Sequence, residues 1–156
     1  MIWRAVALPL LLAIAACQPA SSGAVILERS AAGLTQVPLT IISRGRRHAF
    51  VVELARSPEE QQRGLMFRQA LGPAQGMIFP YDPPQPTSFW MKNTLIPLDM
   101  IFVRADGTIA RIEANAVPLS LDPVPAGEAV AAVLEIAGGR SAELGIGAGD
   151  KVDWPR

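Results

Sequence analysis

A mainly β fold is what this sequence predicts: a small antiparallel sandwich or collapsed barrel with one or two short helices. Three observations predict it. Short apolar and β-branched runs recur from Leu39 to Trp154. Glycine, proline and an Asp-Gly pair separate them at close intervals. Only one segment, opening at Ser57, carries a complete helix-start signal. Half of the 156 residues are hydrophobic and 18% are charged, which suits a single domain with a core of its own.

The elements follow in order. Leu39 to Ser43 is apolar and β-branched, Arg44-Gly45-Arg46 turns the chain, and His48 to Leu54 alternates. In that alternation Phe50, Val52 and Leu54 share one face, Val51 and Glu53 the other. Ser57-Pro58-Glu59-Glu60 sets an N-cap, a first-turn proline and a capping-box glutamate, and Gly64 is placed to end the helix in a left-handed conformation. After Gly72-Pro73, Met77-Ile78-Phe79 is a brief strand, and the prolines from Pro80 to Pro86 predict a surface loop. Ser88 to Lys92 reads as extended, Pro97 breaks the path, and Asp99 to Val103 is a buried-type strand. Asp106-Gly107 is a hairpin turn into Thr108 to Ala114. A loop from Pro118 to Gly127 precedes a strand from Val130 to Ala137. Gly138-Gly139 introduces a short helix near Ser141 to Leu144, and Lys151 to Trp154 closes the chain as a strand.

The first residues differ in kind. Met1-Ile2-Trp3-Arg4 is a short basic start, and Ala5 to Ala16 is an unbroken apolar run, too short for a bilayer span of roughly 20 residues. It ends in Ile14-Ala15-Ala16-Cys17, which resembles the bacterial lipobox. The expectation is a signal peptide over 1–16, acylation of Cys17 (the sole cysteine), and a tether over 17–37 ahead of a domain over 38–156. A short strand at Val25–Leu27 could interrupt that tether. The protein is then exported and lipid-anchored on the periplasmic or extracytoplasmic side of a bacterial membrane. Ordinary cleavage at Ala13-Ile14-Ala15 would instead leave it soluble in the periplasm.

Basic and acidic side chains balance at 14 each, and the densest basic cluster, Arg44, Arg46 and Arg47, falls at a hairpin tip. Nucleic acid is therefore not an expected partner. One histidine, and no free thiol once Cys17 is acylated, leave no zinc site of ordinary ligand spacing. No cofactor and no metal are expected; Met66, Met77, Met91 and Met100 read as core volume.

Several segments together resemble one family. They include Arg63-Gly64-Leu65-Met66-Phe67-Arg68, Gly76-Met77-Ile78-Phe79, Phe89-Trp90-Met91-Lys92-Asn93-Thr94, Ile96-Pro97-Leu98-Asp99-Met100-Ile101-Phe102 and Val133-Leu134-Glu135. In this order they resemble domain-of-unknown-function family 192, over about Leu39 to Val152. The resemblance implies a mainly β, often exported domain, and no established reaction.

The candidate site is the stretch from Trp90 to Asp99. Trp90, Lys92, Asn93 and Asp99 could form an aromatic floor with polar orienting groups for a small molecule, glycan or envelope protein. The structural alternative makes Trp90 core, Asn93 a turn cap and Lys92 the partner of Asp99. Arg63, Glu53 and Glu135 complete the candidate ligand-binding set. Two of Glu53, Asp99 and Glu135 facing one cleft would suit hydrolysis of cell-wall glycan. A buried Glu-Arg pair is the competing account of the glutamates. The reading that results is a non-catalytic binding or accessory module, with the hydrolase as its alternative.

Overall fold

The computed structural model describes residues 28–156. The leader, Cys17, the proposed tether up to residue 27 and the Val25–Leu27 strand lie outside them. The order of elements is β1 (Gln36–Ser43), β2 (Arg46–Leu54), α1 (Pro58–Arg63), β3 (Gln75–Gln85), β4 (Ser88–Phe89) and β5 (Leu98–Val103). It continues with β6 (Ile109–Ala116), β7 (Val124–Pro125), β8 (Val130–Ala137), α2 (Arg140–Leu144) and β9 (Lys151–Asp153). Seven strands form one sheet in the order β6-β5-β8-β3-β2-β1-β9, and β4 pairs with β7. The fold is mostly β with two short helices, and the large sheet is not closed into a barrel. Folded structure begins before Pro38, since Arg29 bridges to Thr35 and β1 starts at Gln36.

The sheet is mixed rather than all antiparallel: β2 and β3 run parallel. The helix α1 supplies the crossover, starting on Ser57, whose hydroxyl accepts from the Glu60 amide at 3.2 Å while Glu60 accepts from the Ser57 amide at 2.9 Å. Gly64 ends it at φ 47°, ψ −135°, outside the left-handed helical well that the sequence suggested. The expected proline loop is also partly strand. β3 continues past Pro80 through a register shift, and Gln85 pairs with Val130. Prolines fit there because the irregularity interrupts the ladder they cannot join.

Paired residues of neighbouring strands project to the same face. Ile78, Leu134 and Ile101 form one row; Met77, Glu135 and Met100 form the next, on the opposite face. The first face, with Leu39, Ile41, Val52, Ile109 and Val152, is the core around which the sheet curls. Its ends approach where Thr108 bridges to Lys151. The second face, with Phe79, Phe102, Met91 and Leu98, is roofed by α1 and the loops around β4 and β7. Two buried faces explain why β5 and β8 are apolar runs broken only by Asp99 and Glu135. Full burial of a side chain such as Phe79 or Phe102 contributes roughly 1.5–3 kcal/mol.

Candidate functional site

On the second face a cleft of about 310 Å³ opens between α1 and the segment following β4. Arg63, Gly64 and Met66 form one wall, Ser88 to Trp90 and Lys92 the other, and Phe79, Tyr81 and Glu135 lie between them. Phe79 and Phe89 meet edge to face at 5.0 Å, which fixes the apolar base.

Trp90 is 49% exposed, so it is not core. The Lys92 ammonium stands 5.0 Å above its ring, an arrangement that orients both side chains and leaves the ammonium hydrated. The expected strand from Ser88 to Lys92 stops at Phe89, and a turn begins at Lys92. Trp90 and Lys92 are nevertheless together, through the turn rather than through strand alternation. Among the described residues the Arg63 guanidinium makes no ion pair.

Glu135 is the unusual member. Its side chain comes from the middle of β8, only 4% of the residue is exposed, and it lines the cleft. No hydrogen bond reaches its carboxyl among the described residues. Met77 and Met100 flank it on the neighbouring strands. Desolvation pushes its pKa from an ordinary 4.5 to about 8, so the acid is mostly protonated at neutral pH. Burial also raises the Tyr81 hydroxyl, with a smaller contribution from Glu135.

Three of the expected site residues lie elsewhere. Asp99 projects to the opposite face of the sheet, because it alternates with Met100 along β5. It is fully buried, and it accepts from the backbone amides of Asn115 at 2.9 Å, Gly139 at 2.8 Å and Ser141 at 2.8 Å. It therefore caps α2, whose N-cap residue is a glycine with no side chain to do so. Glu53 shares the face of Glu135 but is bonded to Arg68 at 2.6 Å in a separate depression with Ser30 and Gln75. Asn93 holds the turn: at φ 55°, its carbonyl accepts from the Phe67 amide at 2.8 Å. Two of the candidate carboxylates thus do not face one cleft, and the paired-acid geometry for glycan hydrolysis is not assembled.

Sequence reasoning missed Met66 and Tyr81 as cleft residues, since only the fold brings them to the cleft that Glu135 lines. A larger hollow of about 540 Å³ lies between Pro80–Pro84 and Trp154–Arg156. No buried polar side chain lines it. Among the described residues no three His, Cys, Asp or Glu side chains are grouped to hold a metal ion.

Fold and site define a small mixed-sheet β domain with one aromatic cleft over an unpartnered acid. The chain belongs to the DUF192 family, described as an uncharacterized ACR family, whose model matches residues 39–154. It is similar to a protein of unknown function from Novosphingobium aromaticivorans DSM 12444, at 50% identity and a TM-score of 0.81, over 84% of this chain and 94% of that one. It is also similar to a Sinorhizobium meliloti 1021 protein with a provisional transcription-regulator name, at 40% identity and a TM-score of 0.76, over 78% and 95% of the two chains. No curated protein matches the sequence.

Proposed function

We propose that this protein is an exported bacterial lipoprotein, held to its membrane through acylated Cys17, and that its domain is a non-catalytic binding module of the cell envelope. The cleft beside Trp90 takes a small ligand, with a glycan fragment the best fit. A ring face packs on Trp90, a negative group meets Arg63 and Lys92, and a hydroxyl or amide bonds to Glu135.

One observation carries the binding reading: Glu135 is all but buried, lines the cleft, and accepts no hydrogen bond from any of the described residues. Burial leaves that carboxyl little contact with water, and a ligand that hydrogen-bonds to it there makes up the shortfall. The lipobox-like Ile14-Ala15-Ala16-Cys17 supports export and anchoring. A nucleic-acid role is not part of this reading. Arg68, Arg104, Arg111 and Arg140 are engaged with Glu53, Glu128, Glu113 and Glu143, which leaves no free basic track through them.

The test is a thermal-shift screen of the processed protein against cell-wall fragments, sugars and nucleotides. Wild type, Trp90→Ala and Glu135→Gln are run side by side. A ligand at a hundred times its Kd stabilises by about 2.7 kcal/mol, several degrees for a domain of this size. A shift present in wild type and lost in both variants supports the reading. No shift anywhere, or one both variants retain, overturns it.

A further inference from the structure

We infer that the apolar rim beside the cleft is a membrane-contact face, which lays the domain on the lipid surface that its anchor reaches; the inference rests on the anchoring reading above. Three loops build the rim, and it exposes six large apolar side chains: Phe67, Trp90, Leu95, Val117, Leu119 and Leu121. Each is between 41% and 68% exposed. Isolated exposed apolar residues are ordinary, but six on adjoining loops are not.

The loops are tied to one another through their backbones. The Phe67 amide donates to the Asn93 carbonyl at 2.8 Å, Leu119 to Thr94 at 3.1 Å, and Met91 to Ser120 at 3.0 Å. The rim is therefore one ordered surface. Its backbone is also strained in favour of presenting these side chains. Phe67 at φ 63° and Leu119 at φ 64° are bulky residues in the left-handed region, where glycine or asparagine is the usual occupant. Such conformations persist where surrounding structure enforces them, and they cluster at functional surfaces.

A lipid surface fits better than a protein partner for three reasons. The side chains project from loop tips, which suits shallow insertion rather than the packing of a flat interface. Trp90 with Lys92 above its ring is the pairing of aromatic and snorkelling cation that belongs at headgroup depth. Within 64–68, 90–96 and 117–122 the only acid is Asp122, and of the two cations there Arg68 is held by Glu53, which leaves Lys92 to face the headgroups.

The chain between anchor and domain makes contact feasible. Glu28 is 11 residues beyond Cys17 (28 − 17), so the link spans at most about 40 Å. A domain of this size has a radius of gyration of about 14 Å. The anchor thus supplies proximity without fixing orientation, and the rim supplies the orientation. The chain also enters nearby, because Ser30 and Ala31 share a depression with Arg68, the neighbour of Phe67. Tethering makes contact an intramolecular event, so a shallow rim suffices.

The deciding experiment uses the processed protein with Trp154→Phe, so that Trp90 reports, on phosphatidylethanolamine–phosphatidylglycerol vesicles. Some vesicles carry acyl chains brominated near the headgroup. Trp90 emission should fall at least twofold on the brominated vesicles. Leu119→Asn should abolish most of that quenching while melting no lower than its parent, because asparagine accepts the left-handed backbone that strains leucine. Unquenched Trp90 overturns the inference, as does a concentration-dependent dimer that Leu119→Asn dissolves. Mass spectrometry of the N-terminal peptide tests the anchor separately. If Cys17 carries no acyl chain, anchoring fails, and quenching of the unacylated protein at excess lipid still decides the rim.

Discussion

Glu53 and Glu135 stand on either side of Met77, one strand away in each direction and on the same face of the sheet. Their surroundings differ completely. Glu53 is bonded to Arg68 at 2.6 Å. Glu135, two strands across, is flanked by methionines and has no partner among the described residues. One row of the sheet thus holds a compensated charge and an uncompensated acid, and only the second opens into the aromatic cleft.

The pH dependence of stability should report Glu135 directly. Its pKa is raised by burial from 4.5 to about 8. Below pH 4.5 the native and unfolded chains are both protonated there. Between 4.5 and 8 the unfolded chain has released its proton and the native one retains it, so stability falls as pH rises. Above 8 both are ionised and the penalty stays constant, on the order of 5 kcal/mol. Glu135→Gln should remove this slope, so that the variant melts progressively higher than wild type from pH 5 to 8. Parallel melting curves over that range would mean that Glu135 is not buried as an acid.

Much of this arrangement is written locally, and the rest is not. The Ser57–Glu60 capping box, the Asp106-Gly107 hairpin and the face shared by Phe50, Val52 and Leu54 follow from chemistry within a few residues, and each forms. The parallel pairing of β2 with β3 depends on how the α1 crossover returns, which no short window contains. Glu135 looked like one of two equivalent buried glutamates. What separates it from Glu53 is Arg68, 15 positions beyond Glu53, which reaches the one and not the other. Asp99 looked like part of the Trp90 segment because sequence distance is short, yet strand alternation turns it to the other face. The apolar rim was hidden for a different reason: Phe67, Leu95 and Leu119 have the composition of core.

Removing Arg68 should cost more than removing the whole pair. Arg68→Ala leaves the Glu53 carboxylate buried without its counter-charge, and a loss of about 2–4 kcal/mol is expected. Arg68→Met combined with Glu53→Met should recover most of that loss, since well-packed apolar side chains replace a buried pair at little cost. Urea unfolding of the three proteins measures the difference. Equal losses for the single and double variants would mean that packing, not charge, holds the site.

Asp99→Ala should be among the most damaging single changes in the domain without altering ligand binding in the surviving folded fraction. It strips three backbone amides of their acceptor at once, and the Asp99 side chain that binds them is itself fully buried. A loss of roughly 3–5 kcal/mol follows at the usual cost of unsatisfied buried donors. Denaturant unfolding checks the loss. A variant of unchanged stability but impaired binding would restore Asp99 to the functional site.

Two glycines offer a sharper contrast. A Cβ on Gly76 would lie 2.4 Å from the Glu135 carbonyl oxygen, with Ile136 and Val52 closing the remaining space. The obstacle is backbone in the middle of the sheet, so it cannot swing aside, and Gly76→Ala should cost about 3 kcal/mol or more. It should also shift β8 at Glu135 and so weaken binding in the cleft. Gly147 has open space around it and no positive φ. Gly147→Ala should be neutral or stabilise slightly, by up to about 1 kcal/mol, because alanine restricts the unfolded chain. Thermal unfolding of both variants tests the packing, and titration of a ligand found for the wild type tests the cleft. Gly76→Ala matching Gly147→Ala in stability would show that β3 and β8 can separate, and the close approach that holds Glu135 in place would be lost as an explanation.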